Sequence, residues 1–295
     1  MNIFITGATG FIGSSLIPHL VSTHQVTALV RNTAQAKKRL PTKVKLVDSL
    51  SSFSNFNDVD AVINLAGEPI FDHRWTPAQK QKLLTSRVAL TQQLAQLINQ
   101  SHTPPTVFIS GSATGYYGDQ GENTVNENTL PKNGFTAFLC KQWEAAAQQA
   151  NTRVCLIRTG IVISPKGGAL ASMLPLYRFG LGGKLGNGQQ YWPWIALEDM
   201  LQGILFLLEN QSLQGAFNFT SPHPLPQGEI NRLLGRQLKR PCFAHVPACI
   251  LKLMLGERSQ LLLDSQKVLP QALIDAGFVF QYPHFEQALK NALSK

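Results

Sequence analysis

Cysteine is scarce in this chain: four in 295 residues, at 140, 155, 242 and 249, none in a C-x-x-C pair. So few in so long a chain do not make a disulfide framework, and no metal site is expected from them. A reducing cytoplasm is the expected compartment. Long hydrophobic runs are missing too. No uninterrupted apolar stretch approaches the roughly 18 residues that a membrane helix needs, and the start of the chain lacks the pattern of a secretory signal. No membrane partner is expected. Negative charge is also short, with 17 Asp+Glu against 26 Lys+Arg, a formal net charge of +9. The cations are scattered, Lys37-Lys38-Arg39 being the densest run. The surplus therefore reads as a solvated basic face with an anion site, and no nucleic-acid partner is expected.

What is present begins at once. Asn2 to Thr6 is a short apolar run that reads as a buried strand. Gly7, Gly10 and Gly13 follow at a spacing of three. Then Phe11, Ile12, Leu16, Ile17, Leu20 and Val21 recur with helical period, with Pro18 inside as an expected kink. Strand, glycine turn and helix together form a dinucleotide-binding pattern. Gly7 allows the tight turn, Gly10 lets a pyrophosphate approach the backbone, and Gly13 lets the helix close on the strand. The helix N-terminus then favours a phosphate.

Further strands are expected at Gln25–Val30, Val44–Val47, Ala61–Gly67, Val107–Ser112 and Arg153–Gly160. Thr76-Pro77 caps a helix that carries Leu83, Leu84, Val88, Leu94, Leu97 and Ile98 as one apolar stripe. Phe135–Ala150 reads as another helix. This alternation predicts an α/β fold, a Rossmann-type doubly wound parallel sheet. After Ser164 the rhythm breaks into Gly- and Pro-rich sequence and then a mostly helical pattern, read as a smaller C-terminal lobe. The expected division is 1–163 for the nucleotide domain, with roughly 196–220 returning to it, and 164–295 for the smaller lobe. The glycines at 167–168 and 180–188 suggest a lid, or equally an inert surface loop.

The tip of the second strand selects among nucleotides. An NAD site usually has an acidic residue there for the ribose hydroxyls. Here the chain reads Leu29-Val30-Arg31-Asn32. An arginine pairs with a 2′-phosphate in a fork, so NADP is the expected cofactor.

Several stretches then carry a resemblance: residues 6–13 (TGATGFIG), 60–67 (DAVINLAG), 110–118 (SGSATGYYG), 158–162 (RTGIV) and 194–199 (WIALED). They resemble the extended short-chain dehydrogenase/reductases. With Arg240-Pro241, Leu255-Gly-Glu257, Gln266–Pro270 and Gly277-Phe278, the whole chain is similar to the atypical epimerase-like subgroup that ends in a domain of unknown function. The resemblance implies NADP(H) held by Gly7, Thr9, Gly10, Phe11, Ile12 and Gly13. It also implies contacts from Arg31, from the loop Leu65, Ala66, Gly67 and Glu68, from Arg87, and from Val162 beside the nicotinamide.

The superfamily's redox chemistry uses a serine, a tyrosine and a lysine, the last two in the pattern Tyr-x-x-x-Lys. Ser112 matches the serine. The tyrosine and lysine positions fall on Thr136 and Cys140, and Lys141 lies one residue later, about 100° around the helix. Ser112 and Tyr117 are the expected orienting and acid/base groups, with Tyr117 reading equally as a packed loop aromatic; Tyr116 and Glu68 are further replacements, and Cys140 reads first as a small buried residue and second as a nucleophile. Trp192 and Trp194 read as packing between the lobes, or as stacking groups for a substrate. Two functions remain open. One is an NADP(H)-dependent oxidoreductase or epimerase acting on an unidentified small-molecule substrate. The other is a non-enzymatic NADP(H)-sensing protein. A homodimer is an open assembly.

Overall fold

The computed structural model describes residues 1–294. Seven strands form its central sheet: β1 (Asn2–Thr6), β2 (Gln25–Leu29), β3 (Lys45–Val47), β4 (Ala61–Asn64), β5 (Val107–Ala113), β6 (Arg153–Thr159) and β7 (Gly215–Phe219). Their order is β7-β6-β5-β4-β1-β2-β3, and every pairing is parallel. The order reverses between β1 and β4. In such sheets the crevice at that switch, beyond the carboxyl ends of the strands, is where ligands bind.

Successive side chains of a strand point to opposite faces, and the buried residues sort accordingly. Ile3, Ile5, Ala61, Ile63, Val107, Ile109, Cys155 and Ile157 lie on one face. There they meet Leu16, Ile17 and Leu20 of α1 (Phe11–Leu20) and Met200, Ile204 and Leu207 of α6 (Leu197–Glu209). Phe4, Val62, Phe108 and Leu156 lie on the other face, against Leu94 and Ile98 of α3 (Val88–Asn99) and Ala147 of α4 (Phe135–Ala147). A sheet covered on both faces needs continuous apolar strands, which is why Ile3-Phe4-Ile5 shows no alternation. Each fully buried Ile, Leu or Phe contributes about 1.5–3 kcal/mol.

The stripe expected as one helix after Thr76 is two. Helix α2 (Pro77–Thr85) and α3 are separated at Ser86 and Arg87. Ser86 Oγ accepts the Glu68 N–H, and the Arg87 guanidinium donates to carbonyls at Leu83 and Glu68. Side-chain bonds to a distant loop thus interrupt a stripe whose apolar period runs on. Thr76 does cap α2, accepting the Gln79 N–H at 3.2 Å. Helix α1 stays helical through Pro18 and ends two residues later.

The second core joins α5 (Gly168–Arg178), α7 (Gln227–Leu238) and α9 (Phe285–Ser294) around Leu174, Trp192, Trp194, Ile230 and Leu289. Short pairings tie in the intervening chain. Residues 161–163 run parallel with 194–196, and 183–185 with 244–246. The glycine-rich 180–188 stretch expected as a lid or loop is therefore partly pinned as a strand. Helix α8 (Ala248–Leu255) follows that second pairing.

Candidate cofactor crevice and the polar cluster beneath it

The glycine turn is closed by sterics that only glycine satisfies. Gly7 has φ +73°, and a Cβ there would lie 2.6 Å from the carbonyl carbon and oxygen of Leu65. Gly13 is buried, and its Cβ would run into the Gly7 carbonyl. Gly10 is exposed and donates to Gly7 O at 2.9 Å. It caps α1 without any side-chain bond, and the first turn of α1 holds no acidic residue. The positive end of the helix dipole is left for an external anion. Thr9 and Ile12 are half-buried at this turn. Phe11 turns to the second lobe: a Cβ on Gly167 would lie 2.6 Å from its ring.

Arg31 stands exposed just past β2, close enough to Glu68 for its charge to act there. The Glu68 carboxyl is held below the usual range, chiefly by the 2.6 Å hydrogen bond from Lys82 and also by the charges of Lys82, Arg31 and His73. Gly67 is exposed, and Leu65 and Ala66 are half-buried. Arg87 lies under this loop. Its Nη2 donates to Glu68 O at 2.8 Å, its Nη1 to Leu83 O at 3.3 Å, and its guanidinium faces the Trp143 ring at 5.3 Å. Burial lowers its pKa. A Cβ on Gly67 would meet it at 2.9 Å. In this geometry Arg87 is a strut for the loop. Val162 is buried, paired with Ile195.

A ladder of buried polar side chains sets the floor of the crevice. Thr6 Oγ1 donates to Asn64 Oδ1 at 2.6 Å and accepts the Ala66 N–H at 3.2 Å. Asn64 Nδ2 donates to Thr91 Oγ1 at 2.8 Å, which also accepts from Trp143 Nε1 at 3.0 Å. Polar groups in a core survive because they are satisfied. Here they fix where the 65–68 loop leaves β4. Sequence reasoning passed over Thr6 and Thr91, although each interrupts an otherwise apolar pattern.

Ser112 and Tyr117, the expected catalytic pair, fall in a second buried cluster. Ser112 Oγ donates to Glu144 Oε1 at 2.6 Å. Arg158 grips the same carboxylate in a fork and donates to Tyr117 Oη at 3.0 Å. Tyr117 Oη donates to Asn218 Oδ1 at 2.7 Å. Tyr117 is 0% exposed, and burial pushes its hydroxyl up to about 12 despite Arg158. Tyr117 thus packs as a buried loop aromatic, with both hydrogen-bond directions of its hydroxyl filled. Ser112 likewise spends its proton on Glu144. Arg158 was the missed centre of the cluster. Its guanidinium also stacks 3.5 Å from the centroid of the Tyr116 ring, which is half-buried.

On α4, Thr136 and Cys140 are buried, and Lys141 is exposed on another side. Burial, with Glu144 nearby, pushes the Cys140 thiol up to about 12, which disfavours the thiolate form. Trp192 and Trp194 are packed in the second core, their indole N–H groups donating to Leu262 O and His223 O.

A parallel sheet reversing beside a glycine turn, with that turn aimed at a helix N-terminus, defines a nucleotide-binding α/β protein. Comparison with known sequences narrows the class. A model of the NAD dependent epimerase/dehydratase family matches residues 3–219, and one of a domain of unknown function, DUF1731, matches 246–292. This chain belongs to the NAD dependent epimerase/dehydratase family. It is 39% identical to epimerase family protein SAR0825 of Staphylococcus aureus, covering 99% of this chain and 98% of that protein. It is 38% identical to the chloroplastic epimerase family protein SDR39U1 homolog of Arabidopsis thaliana, covering 98% and 86%. The crystal structure of human epimerase family protein SDR39U1 with NADPH superposes with a TM-score of 0.92 at 30% identity, covering all of both chains.

Proposed function

We propose that this protein binds NADP(H) in the crevice and acts as an oxidoreductase or epimerase on a small oxygenated metabolite, with an active site that lacks Tyr-x-x-x-Lys. The observation that carries the reading is the turn itself. Gly7 and Gly13 have no room for a side chain, while Gly10 is exposed at an uncapped helix N-terminus. That shape fits a pyrophosphate. Arg31 at the β2 tip supplies a cation for a 2′-phosphate, and the human relative's crystal structure with NADPH supports the same choice. The bound nicotinamide supplies hydride transfer. The 65–68 loop, propped by Arg87 and the Thr6–Asn64 pair, lines the ribose side of the crevice.

A second reading, a non-enzymatic NADP(H) sensor, is favoured by one observation. Tyr117 is sealed from solvent, and the positions matched to the superfamily's tyrosine and lysine are the buried Thr136 and Cys140. Stereospecifically deuterated NADPH incubated with a library of hydroxy and oxo metabolites separates the two. Transfer of label to any compound, lost on Arg31→Asp, supports the enzyme. Tight NADPH binding without transfer to any of them leaves the sensor, and failure to bind NADPH overturns both.

A further inference from the structure

Helix α5 ends at Arg178, and the chain that follows is unusually apolar for a surface. Phe179 is 82% exposed, with Leu181 beyond it. Gly180 packs on Pro241, where a Cβ would meet the ring at 3.2 Å. That contact brings the segment beside Phe243, itself 85% exposed. The chain then passes through the 244–246 strand into α8, which buries Leu251 and exposes Ile250, Leu253 and Met254.

Charge on these segments has one sign. No Asp or Glu occurs from 145 to 197 or from 230 to 256. Arg178, Lys184, Lys239, Arg240 and Lys252 are all exposed there. Among the described residues none of these five is ion-paired, whereas Arg232 and Arg236 of α7 are matched by Glu229 and Glu286. These segments, joined by the Gly180–Pro241 contact and the 183–185/244–246 pairing, therefore combine protruding apolar side chains with cations that make no ion pair among the described residues.

We propose that this surface docks on an anionic phospholipid bilayer. Three arguments select that occupant. A second copy using the same patch would set cations against cations, because a two-fold interface apposes identical surfaces. Side chains more than four-fifths exposed have no walls around them. A rigid protein partner would have to supply a matching pocket for each, whereas the deformable headgroup region accepts aromatic and aliphatic tips directly. Finally, the unpaired cations complement anionic headgroups. The contact is peripheral. No helix among the described residues is long and apolar enough to cross a membrane. The eight residues of α8 span about 12 Å, well short of a hydrocarbon core about 30 Å thick. The lack of a long apolar run, which led to the expectation of no membrane partner, excludes a span and leaves a surface contact open.

The test is co-sedimentation of the full chain with vesicles of phosphatidylcholine alone and with about one third phosphatidylglycerol. The chain is expected to pellet with the anionic vesicles only. Lys184→Glu with Arg240→Glu lowers that partition at least about 30-fold, at roughly tenfold per 1.4 kcal/mol and one cation near the surface per kcal/mol. Phe179→Ser with Phe243→Ser also releases the chain. Both pairs of variants keep the unfolding midpoint, so a folding failure is visible separately. Pelleting with neither vesicle overturns the proposal. So does binding that survives both pairs of variants. Retention on an acidic polypeptide without vesicle binding, or a dimer dispersed by Phe243→Ser, overturns it in favour of a protein partner or a second copy.

Discussion

Arg158 meets both carboxylate oxygens of Glu144, Nε to Oε1 at 2.8 Å and Nη2 to Oε2 at 2.9 Å, with both side chains buried. Breaking one partner of such a pair strands the other charge. Glu144→Gln or Arg158→Met is expected to cost about 3–5 kcal/mol. Replacing both with apolar residues of similar volume should cost much less. Urea unfolding of the two single variants and the double variant measures the difference. Equal, additive losses would mean that the pair does not act as a unit.

Gly10 separates stability from binding. Its Cβ would meet only Gly7 O, at 3.1 Å, and its φ is −78°. Gly10→Ala should therefore change the unfolding free energy by less than about 1 kcal/mol. It should still weaken NADPH by about tenfold or more, because the methyl group occupies the approach of the pyrophosphate. Gly7→Ala, strained at φ +73° and pressed on Leu65, should lose about 2 kcal/mol or more of stability as well. Fluorescence titration and chemical unfolding on the same samples distinguish the two.

Arg31→Asp should lower NADPH affinity by about 10- to 100-fold and leave NADH affinity equal or improved, since a charge-assisted fork is worth about 1.5–3 kcal/mol. Calorimetric titration with both nucleotides is the check. An unchanged preference would remove Arg31 from the site.

These predictions lean on features of unequal legibility in the sequence. The glycine turn was readable because it is local: strand, turn and helix fall within twenty residues. The sheet was readable because burial on both faces makes each strand an apolar run bounded by turns. The break at Ser86–Arg87 was not readable, because its cause is the loop at Glu68, not the apolar period of the helix. Nor were the hydrogen-bond partners of Tyr117. Its partners, Arg158 and Asn218, come from strands 41 and 101 positions away. A motif match fixes a residue's place along the chain, while its exposure depends on everything packed around that place. The two- and three-residue pairings of the second lobe have no period to detect.

Asp264 gives a pH signature. Burial, reinforced by the charge of Asp119, raises its carboxyl from 3.8 to about 6. The folded state thus holds a proton that the unfolded state releases between those values. The slope of stability with pH is negative in that window, so Asp264 destabilises the fold progressively from about pH 4 to above pH 6. Asp264→Asn should raise the melting midpoint at pH 7.5 and have little effect at pH 3.5. The same shift at both pH values would show that its effect is not ionisation.

Thiol chemistry offers the simplest check on the α4 helix. Cys249 is exposed, whereas Cys140 is buried with its thiol pushed up to about 12. A disulfide reagent at pH 8 should label Cys249 within minutes and Cys140 only after unfolding, as read by mass spectrometry of the digest.

Strand β7 has a consequence for how the protein is made. It forms the edge of the central sheet, yet it is encoded after α5, which packs in the second core. Asn218, on this strand, accepts the Tyr117 proton and donates to Leu269 O. A ribosome that has released only the six earlier strands has therefore produced a sheet with an open β6 edge and a charge cluster missing one wall. The central sheet cannot be finished before the second core is under way. The chain is expected to emerge as one cooperative folding unit, rather than as a nucleotide module with an appendage that evolution or an engineer could detach.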